Sequence, residues 1–245
     1  MIRDIISCQN VCRSFGEQKA LDDVSFKVQK GEKIVIVGPS GAGKSTLLRC
    51  INALEDIDSG SIAIDEVVLD RTHKDIAKVR SEVGFVFQHF HLFPHLSVLG
   101  NITLAQRVVR KRSPDESDTF ATELLERFGL TGKAQSYPSE LSGGQSQRAA
   151  ICRAMALNPK ILLFDEATSA LDPESMSDVV EVMNFLAKDG ITLLIVTHEL
   201  SVARQVADRV MFMDEGRIEA IGPVDEILVN PQNQRVKDFL AKVLA

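Results

Sequence analysis

The sequence predicts an α/β fold with a mostly parallel β-sheet and an inserted helical segment. The first observation is a compact apolar strand, Lys33–Val37, which leads through a glycine-rich stretch into a helical pattern from Lys44 onward. A second alternation follows later in the chain, in the order strand 161–164, helix 175–188, strand 191–196 and helix 201–207. Strands that alternate with helices favour parallel pairing, with the helices on the faces of the sheet.

The beginning of the chain predicts a separate antiparallel β part. Ile5–Val11 and Val24–Val28 have strand patterns, the second with period-two alternation. Further strands are predicted at Ser61–Ile64 and Val83–Phe87. Residues 209–245 predict two short strands followed by a terminal helix.

The middle of the chain predicts a helical subdomain. The pattern from about residue 89 to 158 is mostly helical, with helices expected at Ser97–Arg110 and Asp115–Phe128. We therefore expect a single domain in which residues 1–88 and 159–245 form the core and residues 89–158 form the insertion.

Composition narrows the class of protein. Hydrophobic residues make up 44% of the 245 residues and charged residues 25%, which is ordinary for a globular chain. The formal net charge of −6 argues against a nucleic-acid binder, because such affinity comes from clustered Lys and Arg. Apolar runs stay short of the ~20 residues that a membrane-spanning helix needs, and the first residues lack the apolar core of a signal peptide. We expect a cytoplasmic chain that reaches a membrane through a partner.

The cysteines predict neither a disulfide framework nor a metal site. Cys8, Cys12, Cys50 and Cys152 are few and scattered, and no second pair of ligands accompanies Cys8 and Cys12. We expect buried, reduced thiols.

A phosphate-binding loop is predicted directly after the strand Lys33–Val37. The stretch matches G-x-x-x-x-G-K-[ST] and consists of Gly38, Pro39, Ser40, Gly41, Ala42, Gly43, Lys44 and Ser45, followed by Thr46. Glycines let the backbone N–H groups point at phosphate oxygens, and the helix N-terminus adds partial positive charge. Lys44 is expected to reach the β- and γ-phosphates of ATP, and the Ser45 hydroxyl to bind Mg²⁺.

Two adjacent carboxylates are predicted to lie beside these phosphates. Asp165 and Glu166 follow the apolar strand 161–164, and ligands of open α/β sheets bind at the carboxyl ends of the strands. Asp165 suits Mg²⁺. Glu166 suits the attacking water, either as a base or as an orienting acceptor.

The most informative stretch is Leu141-Ser142-Gly143-Gly144-Gln145. With the preceding motifs in this order, the sequence closely resembles the ATP-binding-cassette (ABC) ATPases over nearly its whole length, and this pentapeptide resembles their signature. The resemblance implies that Ser142, Gly143, Gly144 and Gln145 cover the γ-phosphate of ATP held by a second copy. Two ATP molecules would then join two chains in a two-fold dimer that opens after hydrolysis.

The same resemblance assigns four further positions. Phe15 matches the aromatic that stacks on adenine, and Gln88 the glutamine that senses the γ-phosphate and Mg²⁺. Asp172, at the end of Ser169-Ala170-Leu171-Asp172, matches the loop that crosses the dimer interface, and His198 matches the histidine that contacts the γ-phosphate. Three of them have a structural alternative, since Phe15 could be a core aromatic, Gln88 a polar strand end and His198 a structural histidine.

Within the family, the sequence resembles the ATPase subunits of bacterial polar amino acid importers. The resemblance lies in residues 90–98, 48–52 and 164–173; Ala167 departs from it, standing where most members have proline. It implies a pair of ATPases under integral membrane permease subunits, at the cytoplasmic face of the inner membrane, with a separate extracytoplasmic amino-acid-binding protein. Phe90, Leu92 and Phe93 would lie at the permease contact or in the subdomain core.

The sequence also leaves some other functions open and disfavours others. An ABC exporter subunit and a non-transport ABC ATPase remain alternatives, although fused membrane spans, coiled-coil insertions and zinc modules are absent from the sequence. A P-loop kinase or GTPase leaves the signature unexplained, and Asn158-Pro159-Lys160 does not supply the guanine-binding pattern. A metal site at His89, His91 and His95 is disfavoured because no acidic or cysteine partner accompanies them.

Overall fold

The computed structural model describes residues 3–69, 76–169 and 171–243, which form two β-sheets and the helices around them. In chain order the strands of these residues are β1 (Asp4–Phe15), β2 (Gln18–Gln29), β3 (Lys33–Val37), β4 (Ser59–Ile64), β5 (Val67–Leu69), β6 (Val83–Val86), β7 (Ile161–Asp165), β8 (Thr192–Val196), β9 (Arg209–Asp214) and β10 (Arg217–Pro223). The helices are α1 (Lys44–Ile51), α2 (Ile76–Glu82), α3 (Val98–Val109), α4 (Pro114–Arg127), α5 (Gly143–Met155), α6 (Pro173–Lys188), α7 (Leu200–Val206) and α8 (Gln234–Val243).

The larger sheet has six strands in the order β10-β9-β3-β8-β7-β6. Every neighbouring pair is parallel except β9 and β10. Strands β7 and β8 are buried along their whole length, as expected for a parallel sheet that is covered on both faces. The predicted α/β fold is therefore confirmed. Because β3, β8 and β7 are adjacent, the residues that follow them meet at one edge of the sheet.

The smaller sheet is antiparallel and has the order β2-β1-β4-β5. It packs against one face of the larger sheet through a core that includes Val24, Ile62, Leu47 and Met211. The prediction of an N-terminal antiparallel part is confirmed, although β1 and β2 are longer than predicted.

Helices α3, α4 and α5 lie between β6 and β7 in the chain, where the sequence predicts the insertion. Two begin at capping boxes, α4 at Ser113 with Glu116 and α5 at Ser142 with Gln145. Their apolar faces share one core with the second face of the larger sheet, where Ile102 and Leu125 join the same cluster as Phe164.

Some features differ from expectation. Strand β5 and helix α2 were not predicted, because both are short and lack a clear apolar period. Cys8, Cys50 and Cys152 are buried and all four thiols are free, but Cys12 is only half-buried, so its predicted burial is wrong. Among the described residues, the structure contains no helix whose length and apolar character would let it cross a bilayer.

Candidate nucleotide-binding site

The loop between β3 and α1 is held close to the backbone of neighbouring segments. Gly38 has φ 145° and Gly43 has φ 94°, in the region that favours glycine. A Cβ atom on Gly38 would lie 2.0 Å from the Met213 carbonyl oxygen, and one on Gly43 would lie 2.1 Å from the Ala20 carbonyl oxygen. Only glycine fits at these two positions, so the loop geometry requires both glycines of the motif.

Lys44 is the first residue of α1 and is almost fully buried. Its Nζ atom donates to the carbonyl oxygens of Gly38, at 2.9 Å, and Pro39, at 2.8 Å. Burial lowers the pKa of the ammonium group, and the charges of Glu166 and Asp165 partly oppose that shift. The loop therefore orients a desolvated cation at its own centre.

Ser45 and Asp165 are joined across 120 positions of sequence by a hydrogen bond of 2.6 Å from Oγ to Oδ1. The other carboxylate oxygen of Asp165 lies 3.8 Å from the Arg49 guanidinium. Burial raises the pKa of Asp165, although the Ser45 hydrogen bond and the charge of Arg49 oppose the shift. A hydroxyl beside a desolvated carboxylate fits Mg²⁺, which takes one or two protein oxygens together with phosphate oxygens.

Glu166 and His198 contact each other directly. The Nε2 atom of His198 lies 2.7 Å from Oε1 of Glu166. The Glu166 backbone has φ 52°, and its N–H donates to the Val196 carbonyl oxygen at the end of β8. Sheet pairing thus places a carboxylate and an imidazole together at the edge where the phosphate-binding loop begins.

Gln88 contacts the segment that follows Glu166. Its Nε2 atom donates to Ser169 Oγ at 3.3 Å, and Ser169 Oγ donates to the Glu166 carbonyl oxygen at 2.9 Å. The structure therefore connects Gln88 to the catalytic candidate through one side chain.

A cleft of about 280 Å³ lies over the loop. It is lined by Phe15, Gln18, Ala20, Ser40, Gly41, Ala42, Gly43, Lys44, Ser45, Thr46 and Glu166. Phe15 is 48% exposed, so the alternative of a core aromatic is wrong. An exposed ring next to the predicted phosphate-binding loop has the surface that a planar base needs for stacking.

The signature residues lie outside this cleft, at the start of α5. Ser142 caps the helix by accepting from the N–H of Gln145, and the Gln145 side chain accepts from the N–H of Ser142. Gly144 is pressed against Ser175 of α6, where a Cβ atom would meet Ser175 Oγ at 2.6 Å. Within one chain the structure does not bring Ser142, Gly143, Gly144 or Gln145 to the cleft residues.

Asp172 is likewise not among the residues that line the cleft, and it caps α6. Its carboxylate accepts from the backbone N–H of Ser175 at 3.0 Å and from the Ser175 hydroxyl at 2.7 Å. These bonds, led by the backbone N–H, lower the pKa of Asp172. Ala170 of the predicted interface loop lies outside the described residues.

Sequence reasoning missed three residues of this site: Arg13, whose guanidinium carbon lies 4.7 Å from the Phe15 ring centroid, Gln18 in the cleft lining, and Arg49 beside Asp165. Arg13 has a usable signal, because residues two apart on a strand point to the same face and Arg13 precedes Phe15 by two. Arg49 has a weaker signal, since it lies one helical turn beyond Ser45. Gln18 has none that we can identify.

Comparison with known proteins supports one family throughout. The family model described as ABC transporter matches residues 21–169. The glutamine transport ATP-binding protein GlnQ of Geobacillus stearothermophilus is 50% identical over 98% of this chain and 99% of its own length. The glutamate/aspartate import ATP-binding protein GltL of Escherichia coli K12 is 50% identical over 98% of this chain and 100% of its own.

Solved structures of ATP-binding cassettes are also similar to this chain. The dimeric ATP-binding cassette MJ0796, in a post-hydrolysis state bound to ADP and phosphate, has a TM-score of 0.80 and 35% identity, covering 89% of this chain and 98% of that one. The ABC transporter component cbiO1 of Clostridium perfringens has a TM-score of 0.85 and 30% identity, covering 98% and 94%. With a glycine-rich loop, two carboxylates and a histidine at one sheet edge, this chain belongs to the ABC transporter family of ATP-binding cassettes.

Proposed function

We propose that this chain is the ATP-hydrolysing subunit of a bacterial importer for polar amino acids. The observation that carries the ATPase part is the cluster of Lys44, Ser45, Asp165, Glu166 and His198 at the edge formed by β3, β7 and β8. The transport part rests on relatives whose names include glutamine transport, glutamate/aspartate import and arginine transport.

ATP is proposed to lie in the cleft with its phosphates on the loop 38–45. Backbone N–H groups and the α1 N-terminus would bind the phosphate oxygens. Lys44 donates two of its three N–H groups to loop carbonyls, which orients its charge toward the β- and γ-phosphates. Phe15 would stack on adenine and exclude water from one face of the base.

Glu166 is proposed to activate or orient the water that attacks the γ-phosphate, and His198 to contact that phosphate. His198 also holds the Glu166 carboxylate in place through their hydrogen bond. Ser45, Asp165 and Gln88 would hold Mg²⁺, which neutralises charge on the phosphates when bound. The chain's own contribution is to position the carboxylate, the imidazole and the lysine before reaction.

A second copy is proposed to complete the site. Ser142, Gly143, Gly144 and Gln145 do not line the cleft of their own chain yet open a helix, which favours an anionic ligand held by a partner chain. The dimeric state of the solved cassette MJ0796, at 35% identity, supports this arrangement. Asp172 would lie at the interface between the two copies.

Permease subunits are proposed to dock beside the segment that follows Gln88. A groove of about 380 Å³ lies there, with Phe87, Phe93 and Ala105 in its mostly apolar lining. Leu104 and Val108 on α3 are exposed nearby, although the helix buries its other face. A permease bound there would place the chain peripherally at the membrane. We propose the cytoplasmic face of the inner membrane, with an extracytoplasmic binding protein as an indirect partner, because the similar proteins are named as amino acid transport and import ATP-binding proteins.

The division of the chain is part of the same proposal. Residues 1–88 and 159–245 would form the nucleotide-binding core, and about 89–158 the helical subdomain. The subdomain carries both the signature and the proposed permease contact, so its motion would couple the two.

The decisive test is uptake of labelled amino acids by cells that lack this chain. We expect uptake of at least one polar amino acid to fall, and wild type but not Glu166→Gln to restore it. Glu123→Gln is the matched control, because Glu123 is an exposed carboxylate on α4, away from the cleft. Unchanged uptake of all amino acids together with impaired efflux of another solute would replace the importer by an exporter.

A further inference from the structure

We propose that Arg13 is a positioning residue that holds the Phe15 ring for stacking on the adenine of ATP. The inference rests on the proposed function, because it assumes that the cleft binds ATP with its base at Phe15. It goes beyond that function by naming a residue that acts through Phe15.

The first observation is the contact itself. The guanidinium carbon of Arg13 lies 4.7 Å from the centroid of the Phe15 ring, within the range of a cation–π interaction. The ring nonetheless lines the cleft and stays 48% exposed. A guanidinium over the ring therefore leaves a large part of its surface free for a planar ligand.

The second observation is that two carboxylates anchor the guanidinium. One terminal nitrogen donates to Asp58 Oδ1 at 3.1 Å and the other to Glu55 Oε2 at 3.1 Å. Partial burial lowers the pKa of Arg13, but hydrogen bonds and charges from Asp58 and Glu55 outweigh it and leave the pKa raised. The planar guanidinium therefore has a carboxylate at each terminal nitrogen and a ring on its face, while its buried Nε has no hydrogen-bond partner among the described residues.

The third observation is that Asp58 also fixes the backbone around Arg13. Its Oδ2 atom accepts from the Ser14 N–H at 2.7 Å, and its own N–H donates to the Cys12 carbonyl oxygen at 2.8 Å. The main chain on both sides of Arg13 is therefore bonded to one residue. An isolated surface ion pair contributes little, whereas a network of this kind restricts geometry.

The fourth observation links this network to the phosphate site. Glu55 follows α1, and the N–H groups of Leu54 and Glu55 donate to the Arg49 carbonyl oxygen at 2.8 and 3.2 Å. Helix α1 begins at Lys44, directly after the glycine-rich loop. Arg13 thus connects the surface proposed for the base with the helix proposed for the phosphates.

Two physical effects follow. Holding the ring in one orientation before binding reduces the ordering that ATP must impose on it. A base that stacks on the face opposite the guanidinium would also meet a ring whose electron density the cation withdraws, which favours stacking on electron-rich adenine. Both effects act on the base and neither acts on the phosphates.

Because both effects act on the base alone, a comparison of ATP with a ligand that has only the phosphates tests the proposal. Calorimetry in a Glu166→Gln background, in which we expect turnover to stop, would measure dissociation constants for MgATP and for magnesium tripolyphosphate, which lacks base and ribose. The ratio of the tripolyphosphate constant to the ATP constant reports the contribution of the nucleoside. We expect Arg13→Met to lower this ratio roughly three- to ten-fold, and Arg13→Lys to lower it less.

Matched variants separate positioning from folding. Arg112→Met removes a similar pair, since the Arg112 guanidinium lies 4.6 Å from the Phe120 ring centroid and outside the cleft, and it should leave the ratio unchanged. Phe15→Leu should lower the ratio, and adding Arg13→Met should then change it little. The chain has no tryptophan, so Phe15→Trp adds a single indole whose fluorescence reports base contact directly.

The outcomes distinguish the two levels of the proposal. Equal weakening of both ligands by Arg13→Met, or none, would overturn the role of Arg13 and leave the ATPase assignment standing. An unchanged ratio in Phe15→Leu would overturn the stacking role of Phe15 and with it this inference. A wild-type chain that binds neither ligand would overturn the proposed function itself.

Discussion

Nε2 of His198 lies 2.7 Å from Oε1 of Glu166, although the two residues are 32 positions apart in sequence. Each follows one of two neighbouring parallel strands, β7 and β8. The contact couples the proposed base to the proposed γ-phosphate contact, so changes at either residue should affect the same step.

Glu166→Gln should keep ATP binding while nearly abolishing turnover. The amide preserves shape and hydrogen bonding but cannot take a proton, which corresponds to a loss of about 10²–10⁴ in kcat. Steady-state phosphate release and equilibrium ATP binding measure the two quantities separately. Glu123→Gln should match wild type in both. Activity of the Glu166 variant close to wild type would remove Glu166 from the catalytic role.

His198→Ala should lower kcat by about 10²-fold, and the double variant with Glu166→Gln should lose little more than Glu166→Gln alone. Residues that act as a unit give non-additive losses. Phosphate release from the four proteins of this cycle provides the check. Fully multiplicative losses would mean that the observed contact has no functional coupling.

Asp165→Asn should abolish activity yet stabilise the folded chain near pH 7.5 in the absence of nucleotide. Burial raises the folded-state pKa of Asp165 above its ordinary value of 3.8, so its ionised form opposes folding at neutral pH. As pH falls through the raised pKa toward 3.8, folding of the wild type becomes coupled to the uptake of a proton by Asp165. The difference in stability between Asp165→Asn and the wild type should therefore narrow. Thermal unfolding at pH 7.5 and pH 5 tests the sign; a gap that widens at pH 5 would contradict it.

Gly38→Ala should destabilise the chain far more than Gly41→Ala. A methyl group at Gly38 would lie 2.0 Å from the Met213 carbonyl oxygen, whereas at Gly41 it meets nothing within 4 Å of the described residues. We expect about 3 kcal/mol or more at Gly38, and about 1 kcal/mol at Gly41 from its positive φ alone. Urea unfolding of both variants measures the difference, and equal costs would mean that the loop relaxes around the added atom.

Gly144→Ala should loosen the contact between α5 and α6 by about 1–3 kcal/mol, because the new Cβ would lie 2.8 Å from Ser175 Cβ. Ser175→Gly should recover part of that loss in the double variant. Gly143→Ala is the matched control, since its nearest contact, with Leu171, is an ordinary 3.5 Å. The free energy of unfolding of these variants measures the effects. A double variant no more stable than Gly144→Ala would argue against the contact with Ser175 as the cause of the destabilisation.

Several elements follow directly from local sequence. Strand β3 has the predicted bounds, Lys33–Val37, because its four apolar residues are bordered by the polar pair Glu32 and Lys33 and by Gly38. Helix α4 begins at a capping box on Ser113 with a proline after it, which local chemistry alone favours. Strand β5, of three residues, could not be found in this way, because its strand conformation depends on pairing with β4.

By itself the sequence determined the chemical inventory: the glycine-rich loop with Lys44 and Ser45, the adjacent Asp165 and Glu166, and the signature that opens α5. These are short-range patterns whose chemistry depends on neighbours along the chain. Only the tertiary structure decided which of them meet, because the order β3-β8-β7 comes from packing rather than from chain order. That order joins Ser45 to Asp165 and Glu166 to His198. It is likewise the packing of the segment after α1 on β1 that brings Glu55 and Asp58 to Arg13, a relationship no local pattern contains.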